Sequence, residues 1–443
     1  MKMKVIKTIK NSDVIMKEFP CPAFEKSEIE VPVINVVPYV EYQTIDGFGG
    51  AFTEAAAVSL DKISPENRAQ IIKMYFDDKE GIGYNYCRTH INSCDFSVGN
   101  WTYVEEEDKD LSTFSIDHDK QSIIPMIKDA LKYNKDMFLF SSPWSPPAYM
   151  KDTNMMNKGG KLLAEYYDLW AEYYVKYIQA LKAEGINISA ITVQNEPKAT
   201  QTWDSCVYTA EEERDFVKNH LGKKMKEIGV KVMFWDHNKE RVMDRAKVML
   251  DDKEAAQYID AIAVHWYSGD HFEQLDMFNK MYPDKKIIFS EGCQEYSLGK
   301  VDSWSIGERY AFDMIGNFNN YLTAFTDWNL VLDEQGGPNH VGNFCDAPIM
   351  VDTKKDKIHI HNSYYYIGHF SKYVKKGAKR IGFSKYTNDL SVTAFKNPDG
   401  QLVVIVLNDK DVEKTYNIRI DNHTSKVTSQ PHSIATYLIE EYK

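Results

Sequence analysis

Glu196 and Glu291 each stand where a β-forming run is cut short. Ile191-Thr-Val-Gln-Asn-Glu-Pro197 is β-branched and polar up to an Asn-Glu pair, and Pro197 then denies the strand its next backbone donor. Lys286-Ile-Ile-Phe-Ser-Glu-Gly292 repeats the arrangement, with Gly292 ending the run one residue past Glu291. Two carboxyl groups that converge on one carbon can divide the cleavage of an acetal between them. One protonates the departing oxygen and later activates water, while the other attacks the carbon, with roughly 5–5.5 Å between them when configuration is retained. The acid must hold a proton while the nucleophile is ionised, so whichever glutamate acts as the acid is expected to have the higher pKa. A glutamate taken alone is most often a solvated surface residue. Its place at a strand tip beside Asn195, an amide suited to a sugar hydroxyl, is what favours chemistry.

A fold must bring the two tips together, and the chain alternates strand and helix in a way that can do so. Eight candidate strands fall near residues 45, 84, 138, 191, 232, 262, 287 and 323, which predicts a (β/α)₈ barrel with the fourth and seventh strands ending at the two glutamates. Glycines in Ile45-Asp-Gly-Phe-Gly-Gly-Ala-Phe-Thr-Glu54 permit close backbone approach. Ser64-Pro65 opens a helix whose apolar face is Ile71, Ile72, Tyr75 and Phe76. Aromatic and aliphatic residues from Leu163 to Leu181 recur at three- and four-residue steps, and Gly185 closes that helix. Thr209-Ala-Glu-Glu212 is a capping box. Past about residue 375 only short strands remain, with Asn397-Pro-Asp-Gly400 as a turn between two of them. Residues 1–42 are also strand-like, and the prolines of Ile29–Pro38 suit sheet edges. The expected organisation is a barrel over 43–374 and a β-sandwich side domain built from both termini, 1–42 and 375–443.

The formal charge of −12 argues against nucleic acid as a partner. No stretch approaches 18 uncharged apolar residues, so no membrane span is expected. The basic N-terminus lacks an apolar signal run, and six scattered cysteines lack metal-type spacing, which together lead us to expect a reduced, cytoplasmic protein. The 28 Tyr, 21 Phe and 8 Trp include rings able to face sugars. His359-Ile-His361 has no third metal ligand nearby, and Cys293 has no local base to activate it. Neither a metal nor an organic cofactor is implied, and the oligomeric state is left open.

The chain resembles glycoside hydrolase family 30, most closely its glucosylceramidase branch. The resemblance runs in order through Asp46-Gly-Phe-Gly-Gly-Ala, Gly81-Ile-Gly-Tyr-Asn-Tyr, Ser93-Cys-Asp-Phe-Ser97, Ser142-Pro-Trp144 and Asn195-Glu-Pro197. It continues through Ala263-Val-His-Trp-Tyr267, Ser290-Glu-Gly-Cys293, Asp327-Trp-Asn-Leu330, Gly336-Gly-Pro-Asn339 and Gly368-His-Phe-Ser-Lys-Tyr373. It implies a TIM barrel with a β-sandwich side domain and retaining hydrolysis of a β-linked glucoside, with Glu196 as acid/base and Glu291 as nucleophile. It further implies a pocket of Arg88, Trp144, Asn195, His265, Tyr267, Trp328 and Asn343, with Arg88 and Tyr267 keeping the nucleophile ionised. Two departures stand out. Glu54 replaces an aspartate of the glucosylceramidases and is expected to bind sugar hydroxyls with a longer arm, while His340 replaces a tryptophan. An exo-acting β-glucosidase for a small soluble glucoside is the first expectation. Xylose, fucose or galactose preference, endo-acting β-1,6-glucanase action and a non-catalytic carbohydrate-binding barrel are the alternatives.

Overall fold

The computed structural model describes residues 1–295 and 303–440. Eight parallel strands close into a barrel: Gly47–Phe52, Tyr86–Ile91, Phe138–Pro143, Ala190–Thr192, Lys231–Asn238, Ile259–His265, Lys286–Glu291 and Leu322–Asn329. All eight lie where the sequence places them. Because strand side chains alternate faces, every second residue points inward. Tyr86, Phe140, Ala190, Met233, Ala261, Ala263, Ile288 and Ala324 fill the lower barrel as one apolar cluster. Counting upward in twos from several of these reaches Arg88, Ser142 and Trp144, Thr192, His265, Ser290, and Thr326 and Trp328, all buried. The barrel is therefore apolar at its base and polar towards the C-terminal ends of its strands.

Closure depends on Gly49. A Cβ at this position would stand 1.9 Å from the Tyr86 carbonyl oxygen, so a side chain would push the first two strands apart. The surrounding helices follow from their periodicity. Pro65–Phe76 buries Ile71, Ile72, Tyr75 and Phe76, and Ser64 caps it by accepting from the Asn67 N–H. Tyr167–Ala183 buries Trp170, Tyr173, Tyr174, Tyr177, Ile178 and Leu181. Thr209 and Glu212 form the reciprocal capping box.

The side domain is a ten-stranded sheet folded as a sandwich. It pairs the first strand, Lys2–Ile9, with the last, Ser433–Glu440, so that Met3 faces Ile439. In the strand Leu402–Asn408, Leu402, Val404 and Val406 enter the sandwich core, whereas Val403, Ile405 and Leu407 pack into the core shared with the barrel helices. The expected edge placement of the N-terminal prolines is corrected here. Val33–Thr44 lies inside the sheet, between Lys379–Lys385 and Lys414–Ile420. Pro38 is accommodated because it falls at a register shift against the first neighbour, beyond the residues paired with the second, where no ladder donor is required.

Candidate active site

The site is built by the tips of the barrel strands. After Thr192 the chain keeps strand-like bonds to its neighbours, Val193 N–H to Met233 O, Asn195 N–H to Pro143 O and Glu196 N–H to Asp236 O. Glu196 itself adopts a left-handed φ of 45°, an unfavourable conformation for a non-glycine residue that concentrates at functional positions. Two bulges re-aim further side chains. The pairing of the sixth strand skips Asp236 on the fifth and Ser290 on the seventh, which sets His265 opposite Glu291. The two skipped residues meet, with Ser290 Oγ donating to Asp236 Oδ1 at 2.5 Å.

These tips enclose a cavity of about 510 Å³. Glu196 and Glu291 both line it, together with Trp144, Asn195, Tyr267, Trp328 and Asn343. His265 Nδ1 lies 3.2 Å from Glu196 Oε1 and 3.9 Å from Glu291 Oε1. Those two legs cap the separation of the carboxylate oxygens at about 7 Å, which admits the roughly 5–5.5 Å of a retaining pair and excludes most of the 6.5–9.5 Å range of an inverting one.

Beneath the cavity, charges alternate in a continuous network. Arg88 is wholly buried and spends every donor group. Its Nη1 donates to Glu291 Oε2 at 2.7 Å and Nη2 to Asp236 Oδ2 at 2.7 Å and Asn195 Oδ1 at 2.9 Å, while Nε donates to Ser142 Oγ at 3.0 Å. Asp236 also meets His265 Nε2 at 3.0 Å, and His265 meets Glu196. Tyr267 donates its hydroxyl to Glu291 Oε1 at 3.0 Å. Trp144 and Trp328 stack with centroids 5.1 Å apart, and the Arg88 guanidinium lies against both rings.

Burial alone would lower the His265 imidazole, but the charges of Glu291, Asp236 and Glu196 prevail and push it up to about 9. Burial would likewise raise Asp236, yet Arg88 and His265 hold it well below the carboxylate range. The resting order of the two glutamates reverses the expectation from sequence. Burial raises Glu291 despite His265 and Arg88, whereas the hydrogen bond from His265 outweighs burial at Glu196 and lowers it. The proton expected on Glu196 alone is thus held on the His265 side of a hydrogen-bonded Glu196–His265 pair.

Arg88 and His265 act from one layer below the cavity wall. Glu54, expected to bind sugar hydroxyls, is not among the residues that line the cavity. Its Oε1 is 2.7 Å from His118 Nε2, and its Oε2 accepts from Trp101 Nε1 and Val98 N–H, so both oxygens are engaged by protein groups. Burial would raise this carboxyl, but those bonds bring it down to about 2. It anchors the loop 92–101, which carries Asp95 and Phe96 to the cavity. His340 is also absent from the lining, with Nδ1 3.2 Å from Ser97 O and Nε2 3.5 Å from Asp204 Oδ2. His361 Nδ1 is 2.7 Å from Asp346 Oδ1. Cys293 lines the cavity, its sulfur 3.1 Å from that of Cys345.

Three functional candidates escaped the sequence reading. Asp95 lies inside a motif quoted for the family resemblance. Burial, reinforced by the charge of Glu291, pushes it up to about 8, and it accepts from Asn343 Nδ2 at 3.2 Å. Asp236 and His237 belong to Trp235-Asp-His-Asn238, a polar run closing the fifth strand just as Asn195-Glu closes the fourth; that shared pattern was the available signal.

The glycosyl hydrolase family 30 TIM-barrel domain matches residues 45–374, and the glycosyl hydrolase family 30 β-sandwich domain matches residues 377–437. The lysosomal acid glucosylceramidase of Mus musculus is 35% identical over 430 residues, covering 92% of this chain and 83% of that protein. The crystal structure of SrfJ from Salmonella typhimurium superposes with a TM-score of 0.97 at 38% identity, and the endo-β1,6-glucanase BT3312 with 0.90 at 30%; in both comparisons each chain is covered completely.

Proposed function

The chain belongs to glycoside hydrolase family 30, and from that premise we propose an exo-acting β-glucosidase that works through a covalent glycosyl-enzyme intermediate. The observation that carries this reading is the pair Glu196 and Glu291 on one cavity wall, both within 4 Å of the same His265 nitrogen. Glu291 attacks C1, held by the Arg88 guanidinium and the Tyr267 hydroxyl. Glu196 delivers a proton to the leaving oxygen and afterwards, as a carboxylate, takes one from water. The Glu196–His265 pair supports the timing. Among the charges that raise His265, Glu291 is the strongest. As Glu291 becomes an ester its charge disappears, His265 holds its proton less firmly, and that proton moves through Glu196 to the departing oxygen. When water releases the sugar, the charge on Glu291 returns and so does the proton on His265. Trp144 and Trp328 offer ring surface to the sugar, and Asn195, Asp95 and Asn343 offer hydrogen bonds.

The outer wall, with Gln201, Asn238, Gln294, Glu295 and Arg309 around Trp203, supports a hydrophilic aglycone over two lipid chains. A second reading, endo-acting cleavage of β-1,6-glucan, is favoured by the full-length likeness to an endo-β1,6-glucanase. A panel of aryl β-glycosides and β-1,6-linked oligosaccharides, followed by NMR, tests both. Aryl β-glucoside turnover with a β-configured first product is expected; an α-configured first product removes the retaining mechanism, and internal cleavage of the oligosaccharides selects the second reading. Azide added to Glu291→Ala should yield the α-glycosyl azide, and added to Glu196→Ala the β-glycosyl azide. The same anomer from both variants would overturn the assignment of roles.

A further inference from the structure

We propose that Glu196, His237 and His265 form a binding site for a zinc-class divalent cation, and that a cation bound there silences hydrolysis by occupying the Glu196 carboxylate oxygen. The site uses His237, which the hydrolytic reading leaves without a role.

Glu196 Oε1 lies 3.2 Å from His265 Nδ1 and 3.7 Å from His237 Nδ1, and the three ligand atoms all fall within 4.8 Å of one another. Zinc holds nitrogen and oxygen ligands at about 2.0–2.2 Å, so neighbouring corners of its tetrahedron stand about 3.3 Å apart. The edges of 3.2 and 3.7 Å lie either side of that value, and the third is no longer than 4.8 Å.

The orientation of each ligand suits a metal. His265 Nε2 meets Asp236 Oδ1 at 3.0 Å, which places the ring proton on Nε2 and turns the Nδ1 lone pair towards Glu196 once the second proton leaves. A carboxylate behind an imidazole is the usual support of a zinc-bound histidine. His237 Nδ1 is buried and has no hydrogen-bond partner among the described residues. In the tautomer that carries its proton on Nε2, this nitrogen holds an unused lone pair that a cation would satisfy. Charge points the same way. Three carboxyl groups, Glu196, Asp236 and Glu291, lie within 4 Å of His265 ring nitrogens, and Arg88 pairs with two of them. Two imidazoles with one carboxylate favour zinc, copper or nickel over magnesium or calcium, and the cavity leaves a fourth position for water.

The consequence for turnover is direct. The cation would sit between Glu196 and His265 and would take the Glu196 oxygen that must reach the leaving group. The inhibition arm therefore rests on the acid/base reading of Glu196, whereas cation uptake does not.

Zinc chloride titrated into the full chain against a chromogenic zinc indicator measures uptake, and aryl β-glucoside hydrolysis in the same solutions measures turnover. The wild type is expected to take up one zinc per chain, to lose activity along the same curve, and to regain it with EDTA, while magnesium at equal concentration does neither. His237→Ala should weaken uptake at least tenfold and shift its inhibition curve, normalised to its own zinc-free rate, by the same factor. A melting temperature raised by zinc in the wild type and not in the variant shows that the folded state is what binds. Absent uptake, equal uptake by wild type and variant, or uptake without loss of turnover would each overturn the proposal. A wild type that hydrolyses no glycoside refutes the hydrolase reading instead, and leaves uptake by the two proteins to decide this one.

Discussion

Arg88 is the residue on which the electrostatics of the site turn. Its planar fork reaches Glu291, Asp236 and Asn195 at once, and it has no contact with solvent. A lysine carries the same charge on a single nitrogen and cannot bridge two carboxylates in this geometry. Arg88→Lys is therefore expected to lose at least one charge-assisted bond of about 1.5–3 kcal/mol, which corresponds to a fall of roughly ten- to a hundredfold in kcat/KM. The sign of the accompanying pH effect follows from the same contact. Arg88 lowers Glu291 against the upward push of burial, so loosening it raises the nucleophile further and moves the acidic limb of the pH–rate profile to higher pH. A profile that keeps its acidic limb would show that Tyr267 and His265 suffice to hold Glu291 ionised.

At the scale of elements, the loop 92–101 illustrates how a charged residue can shape a sugar site without facing it. Glu54 stands at the first turn of the helix Glu54–Asp61, and its carboxylate gathers Val98, Trp101 and His118. His118 stacks on Trp101 with centroids 4.0 Å apart. The loop so tethered carries Asp95 and Phe96, and Phe96 packs edge-on against Trp328. Glu54→Gln keeps the shape but loses the charge, and a destabilisation of about 1.5–3 kcal/mol is expected in chemical unfolding at neutral pH. The carboxyl is depressed to about 2 from an ordinary 4.5. Its stabilisation is therefore fully present above the unfolded value and is lost as pH falls from about 4.5 through 2. The difference between wild type and variant should shrink over that window. KM for an aryl glucoside should rise more than kcat falls, because the affected loop holds the sugar; a pure kcat effect would place Glu54 in the chemistry instead.

The whole molecule is held together where the side domain meets the barrel, and His369 is at that seam. Its ring joins Thr8 on the first strand to Thr436 on the last, with Nε2 2.9 Å from Thr8 Oγ1 and Nδ1 2.8 Å from Thr436 Oγ1. Burial brings the imidazole down to about 3, so it is neutral in the folded protein. The unfolded chain binds this proton near 6.5 and the folded chain only near 3, which makes stability fall as pH drops through that interval. His369→Gln retains a donor and an acceptor without titrating. It should unfold with a shallower pH dependence between about 6.5 and 3, measured as the change of melting temperature with pH. Equal slopes would show that the seam does not govern acid sensitivity. Because Val403, Ile405 and Leu407 belong to the same core as the barrel helices, side domain and barrel should also melt in one transition.

Much of this was legible along the chain because it rests on local rules. Strand periodicity, proline and glycine stops, caps and turns act over a few residues, and so the eight barrel strands, the two glutamate tips and the pairing of the chain ends could all be read. Counting in twos from Tyr86, Phe140 and Ala324 even reaches Arg88, Trp144 and Trp328. What the fold alone decided depends on neighbours distant in sequence. The bulges that let Asp236 and Ser290 meet arise from pairing between strands, and a lone sequence carries no register. Trp101 and His118 reach the Glu54 oxygens from positions far along the chain, and the proton assigned to Glu196 moved towards His265 because three carboxylates surround that ring. Burial and charge pairing are properties of a place in space, and residues from seven strands and their tips meet at this one.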